Sequence, residues 1–257
     1  MSNGSAASSS EVTAPTVDWR TPPPKLALAS STVHVWRASL DQKTARLRRF
    51  GRTLSADERA RAAHFRFALD RERFVAARGL LREILSLYLD VEAQRLSFGY
   101  GTNGKPFLDE HSDLLFNVSH CLDTVLIAVA HKCKVGVDIE CARGSIAVEE
   151  IAETVFSASE RQAVNSSIHE AKRMTFLRLW TRKEAYIKAD GRGVSLPLDH
   201  IDVSAPTDRV MVLDEATGEW RVLMDWRLRT LAVGPDHAAS LATENQGWKL
   251  ACWRWSG

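Results

Sequence analysis

Two acidic side chains one residue apart, Asp138 and Glu140 in VGVDIE (135–140), are the first feature of this sequence that can do chemistry. Alternate side chains of a strand point to opposite faces. Val135, Val137 and Ile139 therefore turn to a core, and Asp138 and Glu140 share the other face. Neighbouring carboxylates repel unless a cation or a basic group lies between them. Their oxygens are hard ligands, suited to Mg²⁺ or Mn²⁺. The same spacing also fits a solvated strand face or two separate ion pairs.

A third acid and a base follow in LRLWTRKEAYIKADGRG (177–193). Leu177, Trp180 and Ile187 suit a packed helical stripe. Glu184 and Lys188 are four apart and so neighbours on one helix face. As a surface ion pair they contribute only about 0.3–0.5 kcal/mol. As site residues, Glu184 is a metal-side carboxylate or general base, and Lys188 a phosphate clamp. FNVSHC (116–121) ends in Ser119 and His120, which can donate to a phosphate; without a GxSxG elbow, Ser119 does not read as a nucleophile. In NGKP (103–106), Lys105 is a mobile point charge, good for phosphate and equally at home as an exposed turn residue. No GxxxxGK[ST] or GxGxxG is present, so neither a P-loop nor a dinucleotide fold is supported.

The elements that carry these residues are marked by their ends. Ser55 with Glu58, and Ser157 with Glu160, are capping-box signatures that predict helices from Ala56 and after Ser157. Asp70 predicts a further N-cap, followed by helical spacing of Phe74, Ala77, Leu81, Ile84 and Tyr88, with Arg78 and Arg82 on one flank. A long helix is expected over roughly 170–189, stopped by Asp190-Gly191-Arg192-Gly193. VHVWRASL (33–40), the runs between 95 and 140, and most of the chain after 193 read as strands. SADERARA and SASERQAV share SAxERxA, 102 residues apart, each ahead of a long helix and then strands. This predicts two similar α+β halves, residues 28–132 and 133–257, after a disordered tail over 1–27, with one α+β domain carrying two ordinary capped helices as the alternative. Order is expected to begin near Leu26.

The 257 residues carry 34 Lys+Arg against 32 Asp+Glu, too small an excess for nucleic-acid binding by bulk charge. Four cysteines with no CxxC spacing argue against a zinc site or disulfide framework and for a reducing cytoplasm. No apolar run is long enough to span a bilayer, and the N-terminus lacks the pattern of a secretory signal.

In their order, GKPFL (104–108), FNVSH (116–120), VGVDIE (135–140), FSASE (156–160) and WTRKEAYIKADGRG (180–193) resemble the 4′-phosphopantetheinyl transferase superfamily, in its larger two-domain type. The resemblance implies two α+β halves about a pseudo-twofold axis, with coenzyme A in the cleft between them. It implies Mg²⁺, or Mn²⁺, held by Asp138, Glu140 and Glu184, with Asp138, Glu184 and Lys188 catalytic. Gly104, Lys105, Pro106, Asn117, Ser119 and His120 fall on the coenzyme A side, and Arg61 is directed at the nucleotide. Glu58 stands where some members carry a base, and Phe74 where some carry a hydroxyl. The implied reaction moves 4′-phosphopantetheine from coenzyme A to a serine of an acyl or peptidyl carrier protein, releasing 3′,5′-ADP. Both halves of the cleft lie in one chain, so a monomer is expected. A metal-dependent phosphodiesterase, or a binder of coenzyme A or carrier protein without turnover, are the competing readings.

Overall fold

Ser55 and Ser157 each accept a hydrogen bond from the backbone of the residue three places on, and Glu58 and Glu160 reach back to the serine N–H, closing both capping boxes. In this computed structural model, which describes residues 17–101, 104–109, 113–143, 147–192, 197–205, 207–244 and 247–256, with backbone alone at 169–170, the two boxes hold matching places in two copies of one arrangement.

The first copy opens with strand β2 (Thr32–Ser39), after a short β1 (Trp19–Arg20). Helices α1 (Thr44–Thr53), α2 (Ala56–Ala63) and the 22-residue α3 (Ala68–Leu89) follow. Strands β3 (Phe98–Tyr100), β4 (Pro106–Leu108), β5 (Leu114–Cys121) and β6 (Thr124–His131) complete it. The second copy opens with β7 (Val135–Cys141), then α4 (Val148–Val155), α5 (Ala158–Asn165) and the 22-residue α6 (His169–Asp190). Strands β8 (Ile201–Asp202), β9 (Met211–Asp214), β10 (Glu219–Val222), β11 (Arg227–Thr230), β12 (His237–Thr243) and β13 (Lys249–Arg254) end the chain.

Sheet order repeats with element order. In the first sheet the opening strand β2 lies beside β6, which lies beside β5; in the second, β7 lies beside β12, which lies beside β11, all antiparallel. This is the duplicated α+β fold the SAxERxA echo predicts. Helices cover one face of each sheet, around Trp36, Phe50, Leu80 and Ile84 in one half and Phe156, Phe176, Leu177 and Tyr186 in the other. The opposite faces meet through Val33, Val35, Leu126, Val135, Val137, Ile139 and Leu241. Burying each such side chain contributes roughly 1.5–3 kcal/mol.

A buried ion pair recurs as well. Glu58 is held by Arg82 (2.8 Å) and by Arg78, and Glu160 by Lys183 (2.6 Å), with all but Arg78 at most 1% exposed. Arg78 and Arg82 thus share one flank, as their spacing predicts, and close on α2. Lys183 also donates to the carbonyls of Val155, Leu198 and Ile201, tying α6 to the segments on either side.

Three expectations are corrected. The N-cap of α3 is Phe67, and Asp70 lies in the first helical turn, where its charge favours the helix dipole. Order begins before Leu26: Trp19 and Arg20 pair in parallel with β13, and the Trp19 indole donates to the Ala232 carbonyl at 2.6 Å. Finally, β13 crosses back to pair in parallel with β2, so the last strand of the chain completes the first sheet. Gly193 and Asn103 lie outside the described residues.

Candidate active site

Strand β7 meets helix α6 along the face that carries Gly136, Asp138 and Glu140. A Cβ at Gly136 would lie 2.1 Å from the Ala185 carbonyl oxygen and 2.5 Å from the Ala189 nitrogen. Only glycine permits so close an approach. Two strand residues advance about 6.8 Å and four helical residues about 6 Å, so the two elements keep step. One step along from Gly136, the Lys188 Nζ donates to Asp138 Oδ1 at 2.6 Å. Glu184, a turn before Lys188, feels the Asp138 charge. At the next step Trp180 stands near Glu140.

The edges of the two sheets adjoin here, stitched by side chains. Val137 N–H donates to Asn117 Oδ1 at 2.8 Å, and the Ser119 hydroxyl donates to Asp138 Oδ1 at 2.8 Å. Lys188 Nζ also reaches Ser119 Oγ at 3.2 Å. Asn117 and Ser119 are therefore first of all the fastening between the halves, and Ser119 spends its proton on Asp138.

Electrostatics mark the face as a place short of positive charge. Burial, then the Asp138 charge, pushes Glu184 above the usual carboxylate range, with Lys188 pulling it back. Burial and the Asp138 and Glu184 charges raise Glu140 in the same way, against the pull of Lys188. Asp138 Oδ2 is buried with no hydrogen-bond partner among the described residues.

The expected ligand trio is brought to one face but not drawn into a cage. Among the described residues no three His, Cys, Asp or Glu side chains are close enough to hold a metal ion. The Lys188 ammonium and the Ser119 hydroxyl both donate to Asp138 Oδ1 instead. The donor set nonetheless fits a hard divalent ion, because it offers three carboxylates, one with an unpartnered buried oxygen, and no soft ligand.

Beside this face lies a cavity of about 480 Å³, lined from the first half by Gly104, Lys105, Pro106, Asn117 and Val118, and from the second by Glu184, Ile187, Lys188, Gly191 and Leu198. Gly191 ends α6 in the left-handed region, at φ 86°, as the sequence predicts. Lys105 is less mobile than its turn suggests. Its ammonium donates to the Lys188 carbonyl at 2.5 Å, and burial with the Lys134 charge lowers its pKa to about 8. His120 is held below its ordinary value by burial and by the charges of Lys188 and Arg73, so it stands near the same lysine. Arg61 is not brought to the cavity lining; its guanidinium lies 5.6 Å from the centre of the Phe74 ring. Glu58 is taken up by Arg78 and Arg82.

Two contributors escaped the sequence reading. Gly136 was readable from its place two before Asp138 on the same strand face. Trp180 belongs only partly to the packed stripe: Leu177 and Ile187 are buried, whereas Trp180 is half-buried. The equivalent face of β2, 102 residues earlier, carries His34, Trp36 and Ala38. It is filled: the Tyr88 hydroxyl of α3 accepts from Trp36 Nε1 at 2.7 Å and lies 2.8 Å from His34 Nδ1. Of these two matching faces, β7's alone is lined with carboxylates.

Residues 134–255 match the family model of the 4′-phosphopantetheinyl transferase superfamily, and residues 35–132 that of the 4′-phosphopantetheinyl transferase N-terminal region. The chain is 37% identical over 240 residues to the 4′-phosphopantetheinyl transferase HetI of Nostoc sp., covering 92% of this chain and 98% of the relative. It is 30% identical over 160 residues to the 4′-phosphopantetheinyl transferase Sfp of Bacillus subtilis, covering 62% and 70%. It is 28% identical over 207 residues, covering 74% and 68%, to the L-aminoadipate-semialdehyde dehydrogenase-phosphopantetheinyl transferase of Xenopus laevis.

Proposed function

The chain belongs to the 4′-phosphopantetheinyl transferase superfamily, in its larger two-domain type, and from that premise we propose that the β7–α6 face moves 4′-phosphopantetheine from coenzyme A to a serine hydroxyl of a carrier protein. That the chain is such a transferase follows from its relatives, and the carrier-protein acceptor belongs to the proposal. The donor, the metal and the residue roles are the proposal.

The observation that carries it is the joining of Asp138, Glu140, Glu184 and Lys188 on one face beside a cavity built by both halves. Asp138, Glu140 and Glu184 would hold a divalent cation, Mg²⁺ or Mn²⁺. When bound, that ion neutralises charge on the coenzyme A pyrophosphate, which three bare carboxylates would otherwise repel. Lys188 lies between Asp138 and the cavity and can pass its hydrogen bonds to a phosphoryl oxygen as the substrate enters. Lys105, which lines the cavity, and His120, which feels the Lys188 charge, are assigned to the nucleotide phosphates.

Glu184 is the general base. Without the cation its carboxyl is held above the usual range by burial and by the Asp138 charge; a bound cation would pull it back down, so the base role falls to the Glu184 oxygen turned away from the ion. The serine oxygen attacks the phosphorus that bears the pantetheine arm, and its proton goes to Glu184. The bond to the bridging oxygen breaks, and 3′,5′-ADP leaves with the electron pair. In-line placement and charge neutralisation are the whole demand of such a transfer.

Incubation with coenzyme A, Mg²⁺ and a panel of apo-carrier proteins tests this reading. A carrier mass raised by one phosphopantetheine, with 3′,5′-ADP released in equal amount, is the expected result. Hydrolysed coenzyme A with unmodified carrier would identify a phosphodiesterase. Bound but intact coenzyme A would identify a binding module.

A further inference from the structure

The Ser119 hydroxyl has every one of its hydrogen bonds in use. A serine hydroxyl has one proton to donate and two lone pairs that accept. The Ile139 N–H donates to Ser119 Oγ at 3.4 Å, and the Lys188 ammonium donates to it at 3.2 Å. Both lone pairs are thereby occupied, and the single proton goes to Asp138 Oδ1, 2.8 Å away. Ser119 and Asp138 are both buried, so water offers neither an alternative partner. No proton remains for a phosphate oxygen, the role that the sequence suggests for this serine.

Asp138 is oriented as a result. Its Oδ1 receives both Ser119 and Lys188, while Oδ2 is buried and receives no hydrogen bond among the described residues. Two donors on one oxygen fix the carboxylate and leave the other oxygen over. Lys188 is the less permanent of the two, since its side chain is 30% exposed and the proposed transfer draws its ammonium to a phosphoryl oxygen. Ser119 stays in place, because β5 is paired along its whole length with β6. We propose that Ser119 is a positioning residue, whose hydroxyl, supplied by the first half, holds Asp138 Oδ1 so that Oδ2 is left for a divalent cation. The inference rests on the cation reading above and adds to it the group that keeps Asp138 ordered when Lys188 turns to substrate. Groups that orient a ligand in this way typically govern metal affinity by about 10–100-fold.

The test is Mn²⁺ binding to the full chain, followed by electron paramagnetic resonance, first alone and then with coenzyme A but no carrier. Ser119→Ala is expected to weaken Mn²⁺ binding about tenfold, in protein shown to be folded by circular dichroism in a chelator. Should the alanine variant not fold, Ser119→Cys, which fills the space with a weak donor, takes its place. Ser119→Thr keeps the hydroxyl and is expected to restore the wild-type affinity. In transfer assays with Ser119→Ala, the metal concentration needed for half-maximal rate rises, and at saturating metal the KM for coenzyme A returns to the wild-type value. Wild-type Mn²⁺ affinity in the folded variant, or a KM for coenzyme A that stays high at saturating metal, overturns the assignment and gives Ser119 to the phosphates. An equal loss of affinity in Ser119→Thr overturns it too, leaving only packing at the seam. A wild-type protein that binds no Mn²⁺ under either condition overturns the cation reading itself, and this inference with it.

Discussion

Gly136 and Ala185 touch so closely that no side chain fits between them: a Cβ on the glycine would stand 2.1 Å from the alanine carbonyl. That contact sets the distance between β7 and α6, and so the distance between Asp138 and Lys188 one step along.

Gly136→Ala is therefore expected to act on the site through the backbone. Overpacking typically costs about 1–3 kcal/mol, and the obstacle here is main chain, which cannot rotate away. Denaturation in urea should show a loss near the upper end of that range. Transfer activity should fall in the fraction that remains folded, because α6 lifts Lys188 and Glu184 from the strand. An unchanged turnover in folded protein would show that the face tolerates a wider gap.

Lys183 and Glu160 form the buried pair behind the cavity wall. Lys183→Met strands a buried carboxylate and three carbonyls, and is expected to cost about 3–5 kcal/mol. Combining it with Glu160→Leu should recover much of that loss, since both desolvation penalties go together. Melting of the single and double variants decides the point.

The pH dependence of coenzyme A binding is set on the first half by Lys105, whose pKa is lowered to about 8. Below that pH its ammonium is charged and can meet a phosphate; above it the charge is lost. The KM for coenzyme A should rise as pH passes upward through about 8. Lys105→Arg, which stays charged, should flatten the rise while kcat changes less. Steady-state kinetics across this range supply the measurement.

Stability should fall in acid for a reason remote from the site. His34 is buried, and burial lowers its pKa from 6.5 to about 4. Its folded-state value is depressed, so its contribution is complete above the unfolded value. It is lost as pH falls from 6.5 toward 4, when the unfolded chain takes up a proton and the native ring does not. The loss is about 3 kcal/mol by linkage. A urea midpoint that drops over this interval in the wild type, and drops less in His34→Gln, is the expected pattern.

Much of this was legible in the sequence because it depends on local rules. Period-two alternation put Asp138 and Glu140 on one face. Two serine–glutamate boxes marked two helix starts. The spacing of Glu184 and Lys188 put them on one side of α6, and Gly191 ended it. What stayed hidden depends on partners far along the chain. The burial of Lys183 cannot be read without Glu160 beside it, and the partial exposure of Trp180 cannot be read from a helical stripe that fits a core equally well. Asp70 has the chemistry of a cap, but the chain enters α3 three residues earlier. Pairing of β13 with β2 reflects the open edge that β2 offers, which no local pattern reveals. Lys105 read as a mobile turn residue because the carbonyl that holds it belongs to the other half.

The account turns on Asp138, the residue that joins Ser119, Lys188 and the acidic face. The most direct test is the rate at which apo-carrier gains phosphopantetheine mass from coenzyme A and Mg²⁺ with wild-type protein and with folded Asp138→Ala. A fall of at least about a hundredfold, as for a lost electrostatic group, is the result expected. An Asp138→Ala protein that primes carrier at the wild-type rate would contradict it and move the chemistry away from the seam between β7 and α6.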